Sequence, residues 1–161
     1  MDLIHNVRHM VETHLGVTPH GLLSLHARLS VPCATKTEHI AGCDFTVRWE
    51  SGCLTFYAAM PPLEGHTIPR PSVCPMGVRL IRSISVEMPE AIDRFHAAKR
   101  WRYFTELTLA WPMTTQCDEP LWNFRAGDQH CIIGAQSGRM EMWRGFDAVR
   151  PDAGASGLPL G

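Results

Sequence analysis

The chain of 161 residues has no uninterrupted apolar run approaching the roughly eighteen that a membrane span needs, and its opening, Met1-Asp2-Leu3-Ile4-His5, has neither the basic region nor the apolar stretch of a secretion signal. A membrane partner is not expected, and the protein is expected to work in the cytoplasm. Charge of one sign is also lacking: 15 Lys and Arg against 16 Asp and Glu give a net charge of -1. No general field draws in phosphate backbones, so nucleic acid is not an expected partner. The six cysteines, Cys33, Cys43, Cys53, Cys74, Cys117 and Cys131, contain no CxxC pair and no ligand-like spacing. In a chain long enough to build a core they read as reduced, mostly buried thiols. Glycine-rich phosphate loops, serine nucleophile elbows, EF-hand loops and internal sequence repeats are missing too, and no cofactor is expected.

What is present fits a globular domain. Hydrophobic residues make up 45% and charged residues 19%, and a chain of this length buries about seventy per cent of its unfolded surface without staples. We read residues 1–146 as a single domain and 147–161, rich in Gly, Ala, Ser and Pro, as a flexible C-terminal tail.

Local patterns place the elements. Leu3, Ile4, Val7, Met10, Val11 and Leu15 fall on one stripe of a 3.6-residue period, with Asp2 as N-cap and Gly16 as stop. Period-two alternation follows in Leu23, Leu25, Ala27, Leu29 and Val31, and returns in Cys43, Phe45, Val47 and Trp49, then in Leu54, Phe56, Ala58 and Met60 beyond the Glu50-Ser51-Gly52 turn. Five prolines define a long loop from Pro61 to Gly77. A strand face is expected in Val78, Leu80, Ile84, Val86 and Met88, a short helix from Pro89 to Arg100 with the stripe Ala91, Ile92, Phe95 and Ala98, and a strand from Trp101 to Trp111. Pro112 to Asp128 reads as a second loop, and Cys131–Ile133 with Met140–Trp143 as a closing hairpin.

Helices and strands in this order do not alternate as βαβα. The expected class is α+β: about six or seven mostly antiparallel strands in a curved sheet, packed against the N-terminal helix, with a second short helix. Both an open sheet and one closed into a barrel or cone are compatible with the pattern.

Several clusters bear on chemistry. His5, His9 and Glu12 lie on the polar side of the first helix, but the metalloprotease motif needs glutamate directly after the first histidine, where this chain has Asn6. They read as a solvated face, and no metal site is assigned. His14 points toward the apolar stripe as a partly buried core histidine. Arg82 would be aimed into the core by simple alternation, so it must pair with a carboxylate such as Asp44 or Glu106, meet an anionic ligand, or be turned outward by a β-bulge. Tyr103, Trp111, Trp122 and Trp143 are candidate pocket aromatics, with Trp122 expected on the second loop. Cys33 and Cys117 are the cysteines placed in loops, and the acidic neighbours of Cys117 oppose reactivity. Arg94, Lys99, Arg100 and Arg102 around Trp101 read first as a solvated basic face.

The leading functional expectation is a binding domain without catalytic activity, whose ligand site includes Arg82, Tyr103, Trp111, Trp122 and Trp143. Its ligand would be an apolar or weakly anionic small molecule or a protein partner. Two alternatives stand beside it: a small pocket-in-sheet enzyme of hydrolase or isomerase type using His26 or His130, and a homodimeric interaction module joined through a strand edge or the Met140–Trp143 hairpin.

Overall fold

In a computed structural model that describes residues 2–59 and 65–144, the chain forms two α-helices and one curved, open antiparallel sheet of eight strands. The expected α+β class is what the chain adopts, with one strand more than the upper estimate and no closure into a barrel. Helix α1 (Leu3–Leu15) begins where Asp2 accepts the His5 amide at 2.9 Å and ends at Gly16, whose left-handed φ of 64° lets its N–H reach the Glu12 carbonyl. Leu3, Val7, Met10 and Val11 are buried.

Four strands follow, β1 (Gly21–Leu29), β2 (Ile40–Trp49), β3 (Gly52–Ala59) and β4 (Arg70–Ser72), then α2 (Met88–Ala97) and four more, β5 (Glu106–Ala110), β6 (Leu121–Ala126), β7 (Gln129–Gly134) and β8 (Met140–Arg144). The sheet order is β4-β3-β2-β1-β5-β6-β7-β8. Each helix thus precedes a four-stranded meander, and the two meanders join where β1 pairs with β5.

Alternation divides the sheet into a covered and an open face. Leu25, Ala27, Phe45, Val47, Leu54, Phe56, Leu107, Leu109, Trp122, Phe124 and Ile133 join one core with Leu3, Val7 and Val11 of α1 and with Ala91, Ile92 and Phe95 of α2. Both helices therefore cover the same face. At roughly 1.5–3 kcal/mol for each fully buried side chain, this burial outweighs any set of surface ion pairs as the source of the architecture. The opposite face carries Asp44, His26, Thr108 and Asn123, all four of which lie in one cross-strand row with Tyr57.

Five local expectations are corrected. A bulge between Leu22 and Ser24 puts Leu22 opposite Val47, so Leu22 joins the core stripe ahead of Leu25. Residues 78–88 do not form a strand; they cross the sheet through single bridges, Val78 to Pro112 and Leu22 to Ile81, before the Ser85 and Val86 amides donate to the Ala135 carbonyl. The strand expected from Trp101 shortens to β5, because Phe104, not Tyr103, is the buried residue and bridges to Ala34. β6 lies inside what reads as the second loop: Leu121, Trp122, Asn123 and Phe124 are all buried, so no alternation marks it. Lastly, Cys53 and Cys74 are joined as a disulfide across a separation of 21 residues, which overturns the reading of six reduced thiols. The tail 147–161 lies outside the described residues, as do Met60 and Pro61 to Glu64.

The cysteines give a direct check. Burial pushes the Cys43 thiol up to about 12 and the Cys131 thiol up to about 11, Cys117 is buried, and only Cys33 is an exposed free thiol. Native protein treated with iodoacetamide at mildly alkaline pH should gain a single adduct by mass spectrometry, four after unfolding without reductant, and six after reduction. Six adducts without reductant contradict the disulfide, and several on native protein contradict the burial.

Candidate functional site

The residues singled out by sequence do not converge on one pocket. Trp122 lies on β6 with no exposed surface, and its indole Nε1–H donates to the Val86 carbonyl at 2.8 Å. It fastens the crossing segment to the core. Trp111 donates from Nε1 to the Cys117 carbonyl at 3.0 Å, under the Arg79 guanidinium, and so folds the 111–120 connection onto itself. Tyr103 is exposed at the surface. Trp143 lies on β8, its Nε1–H donating to Glu141 at 3.1 Å. His14 is exposed and meets His66 Nε2 to Nε2 at 3.0 Å, so it is not a core histidine.

Arg82 is where sequence and structure meet most closely. Gly21 has no Cβ, and one built there would stand 2.7 Å from the Ile81 carbonyl oxygen and 2.9 Å from the Leu80 side chain. This close approach lets Leu22 and Ile81 exchange backbone hydrogen bonds of 2.9 and 2.7 Å. Ile81 is thereby driven into the core and the next side chain, Arg82, is turned outward. Neither carboxylate proposed for it is its partner. Asp44 binds Arg28 at 2.6 and 2.7 Å, and Glu106 accepts from Arg125 at 3.0 Å and lies 3.5 Å from His26. Arg82 has no ion pair among the described residues.

The outward turn puts Arg82 on the rim of a cavity of about 140 Å³ between α1 and the start of β1. Its floor is apolar, from Ile4, Val7, Leu22 and Val47, and Arg8 and His20 stand with Arg82 around it. Arg8 is held by Glu12 one helical turn on, at 3.0 Å. Arg82 is thus the rim guanidinium without an acceptor among the described residues. Sequence reading missed Arg8, His20 and the glycine. The available signal was Pro19-His20-Gly21 directly before a strand, a place where a side chain is excluded by a neighbouring backbone.

The open face offers polar groups but little enclosure. Arg28, bidentate to Asp44, stacks over Tyr57 with its guanidinium carbon 4.5 Å from the ring centre, above a broad depression of about 390 Å³. Further along, His130 Nδ1 lies 2.9 Å from Asn123 Oδ1. His26 and His130, the histidines considered for acid-base work, sit on this face without a nucleophilic side chain hydrogen-bonded to either among the described residues. Nor do three His, Cys, Asp or Glu side chains gather as a metal site among those residues.

Burial, followed by the positive charge of Arg125, pushes the His130 pKa below the ordinary histidine value. The protonated form is therefore disfavoured in the folded state. Stability from this group should be fully present above the unfolded value near 6.5 and be lost as pH falls through it toward the lower folded value. Ring-carbon NMR should show His130 titrating below the ordinary histidine value, and Arg125→Gln should move it upward. A titration at or above the ordinary value contradicts the assigned environment.

No family model matches the chain, and no match was found among curated proteins or solved structures, so its chemistry is read from this geometry alone.

Proposed function

We propose that the chain is a binding domain for a small amphipathic carboxylate, seated between α1 and β1 with its apolar part on Ile4, Val7, Leu22 and Val47 and its anionic end against Arg82. The observation that carries this reading is a guanidinium without a carboxylate partner, among the described residues, at the mouth of an apolar cavity of about 140 Å³. A cavity of that size suits a ligand of a few carbon atoms. Arg8 and His20 add positive charge at the same rim, and a planar guanidinium offers a carboxylate two parallel donors.

Magnitudes set the expected affinity. A few methylenes leaving water contribute about 0.8 kcal/mol each, and one charge-assisted hydrogen bond roughly 1.5–3 kcal/mol. After the cost of association, simple carboxylates should bind with dissociation constants on the order of 1 mM, and a cognate ligand with more contacts should bind more tightly. The Cys53–Cys74 disulfide supports an oxidising compartment over the cytoplasm as the working location. Among the described residues no helix is long and apolar enough to cross a membrane.

In a thermal-shift titration, hexanoate should raise the melting temperature and hexylamine should not. Arg82→Ala should weaken hexanoate roughly tenfold, the loss of one charged contact, while leaving the ligand-free melting temperature unchanged because Arg82 is exposed. Equal responses to acid and amine, or full binding by the Arg82 variant, overturn the reading.

A further inference from the structure

A second recess lies at the β8 edge of the sheet, where the chain leaves α2 and meets the β7–β8 hairpin. It measures about 160 Å³ and is lined by Arg100, Trp101, Gln129, Met142, Trp143 and Arg144. That is close to the ~150 Å³ known to accommodate one benzene ring in an apolar protein cavity. The lining combines the Trp101 indole and the Met142 side chain with two guanidinium groups, neither in an ion pair among the described residues, while the Trp143 indole packs on the other face of the sheet with Leu121 and Ile132. The neighbouring carboxylate, Glu141, is already engaged by the Trp143 indole at 3.1 Å and by Arg139 at 3.7 Å.

Lys99 has a φ of 54°, the one positive value outside glycine among the described residues. This left-handed residue reverses the chain after α2 and delivers Arg100 and Trp101 to the recess, in a conformation that costs a lysine free energy where glycine would be relaxed. Trp101 also keeps its indole Nε1–H buried with no acceptor among the described residues. A buried donor without an acceptor is costly, and that cost is carried where the Trp101 ring packs against Phe95.

We infer that this recess is a binding site for a single-ring aromatic anion, an aryl carboxylate or aryl phosphate, with the ring against Trp101 and Met142 and the anionic group held by Arg100 and Arg144. An indole face supplies stacking area, and a guanidinium matches the planar or tetrahedral oxygens of either group. A single ring fills the volume, which favours a small molecule over a strand of nucleic acid, and the chain's net charge of -1 supplies no wider field for a polyanion. The site is independent of the cavity beside Arg82, since no lining residue is shared.

The test is an intrinsic tryptophan fluorescence titration of the full chain with benzoate, phenyl phosphate, inorganic phosphate, benzylamine and a short oligothymidylate. Benzoate or phenyl phosphate should quench saturably, inorganic phosphate should bind at least tenfold more weakly than phenyl phosphate, and benzylamine should give no saturable change. Arg144→Gln, at an exposed position, should weaken the aromatic anion roughly tenfold without altering the fold, and Arg82→Ala should leave it unchanged. The choice between the two acids is read from their relative affinities. Absence of saturation with both acids, equal binding of benzylamine, or loss of binding in Arg82→Ala each overturns the proposal. Tighter binding of the oligothymidylate than of phenyl phosphate overturns it in favour of single-stranded nucleic acid.

Discussion

The crossing of residues 78–86 over the start of β1 is the constraint on which the candidate site depends. It is possible because Gly21 presents no side chain to the Ile81 carbonyl, and it is held by the reciprocal Leu22–Ile81 hydrogen bonds at one point and by the Trp122 indole on Val86 at another. Between these anchors lies Arg82. Left in a regular strand in the phase the sequence suggests, it would be an unpaired charge in the core, at a cost of several kcal/mol. The crossing reverses the phase, so that Ile81 takes the buried position and Arg82 the rim of the cavity.

The two faces are covered unequally, and this explains the rest of the layout. Both helices bury their apolar stripes on the same face, while the opposite face is covered only at its β6–β7 end, where Cys117 packs on Leu121 and Ile132, so the remainder must be made tolerable to water by its own side chains. It is: Arg28 with Asp44, Arg125 with Glu106, and His130 with Asn123 satisfy one another across neighbouring strands. The two exposed ion pairs contribute little to stability, so their role is solubility and local order, while the fold rests on the covered core. The repeat of a helix followed by a four-stranded meander is a matter of topology; it was invisible in the sequence because corresponding strands differ in length, from the three residues of β4 to the five of β8.

Legibility in the sequence followed how local the signal was. Helix α1 with both caps, the β2–β3 hairpin with its Glu50–Ser51 turn, the core of α2 and the closing hairpin all rest on contacts within a few residues, and the sequence pattern located each. β6 was missed because burial on both faces removes alternation, and β4 because Pro71 reads as a breaker, although an edge strand tolerates a residue without an N–H. The disulfide was missed because Cys53 and Cys74 become neighbours only after β4 pairs with β3. Of the candidate site, Arg82 was flagged by its misfit to alternation, whereas Arg8 and His20 reach it through the packing of α1 on β1 and have no local signature.

The most direct measurement is amide hydrogen exchange at Leu22 and Ile81, in the native chain and in Gly21→Ala. The account predicts protection at both amides comparable with the central β1–β2 ladder, and its selective loss in the variant while that ladder stays protected, because the added methyl would meet the Ile81 carbonyl. Exchange at loop-like rates in the native chain, or unchanged protection in the variant, would show that nothing fixes Arg82 over the cavity.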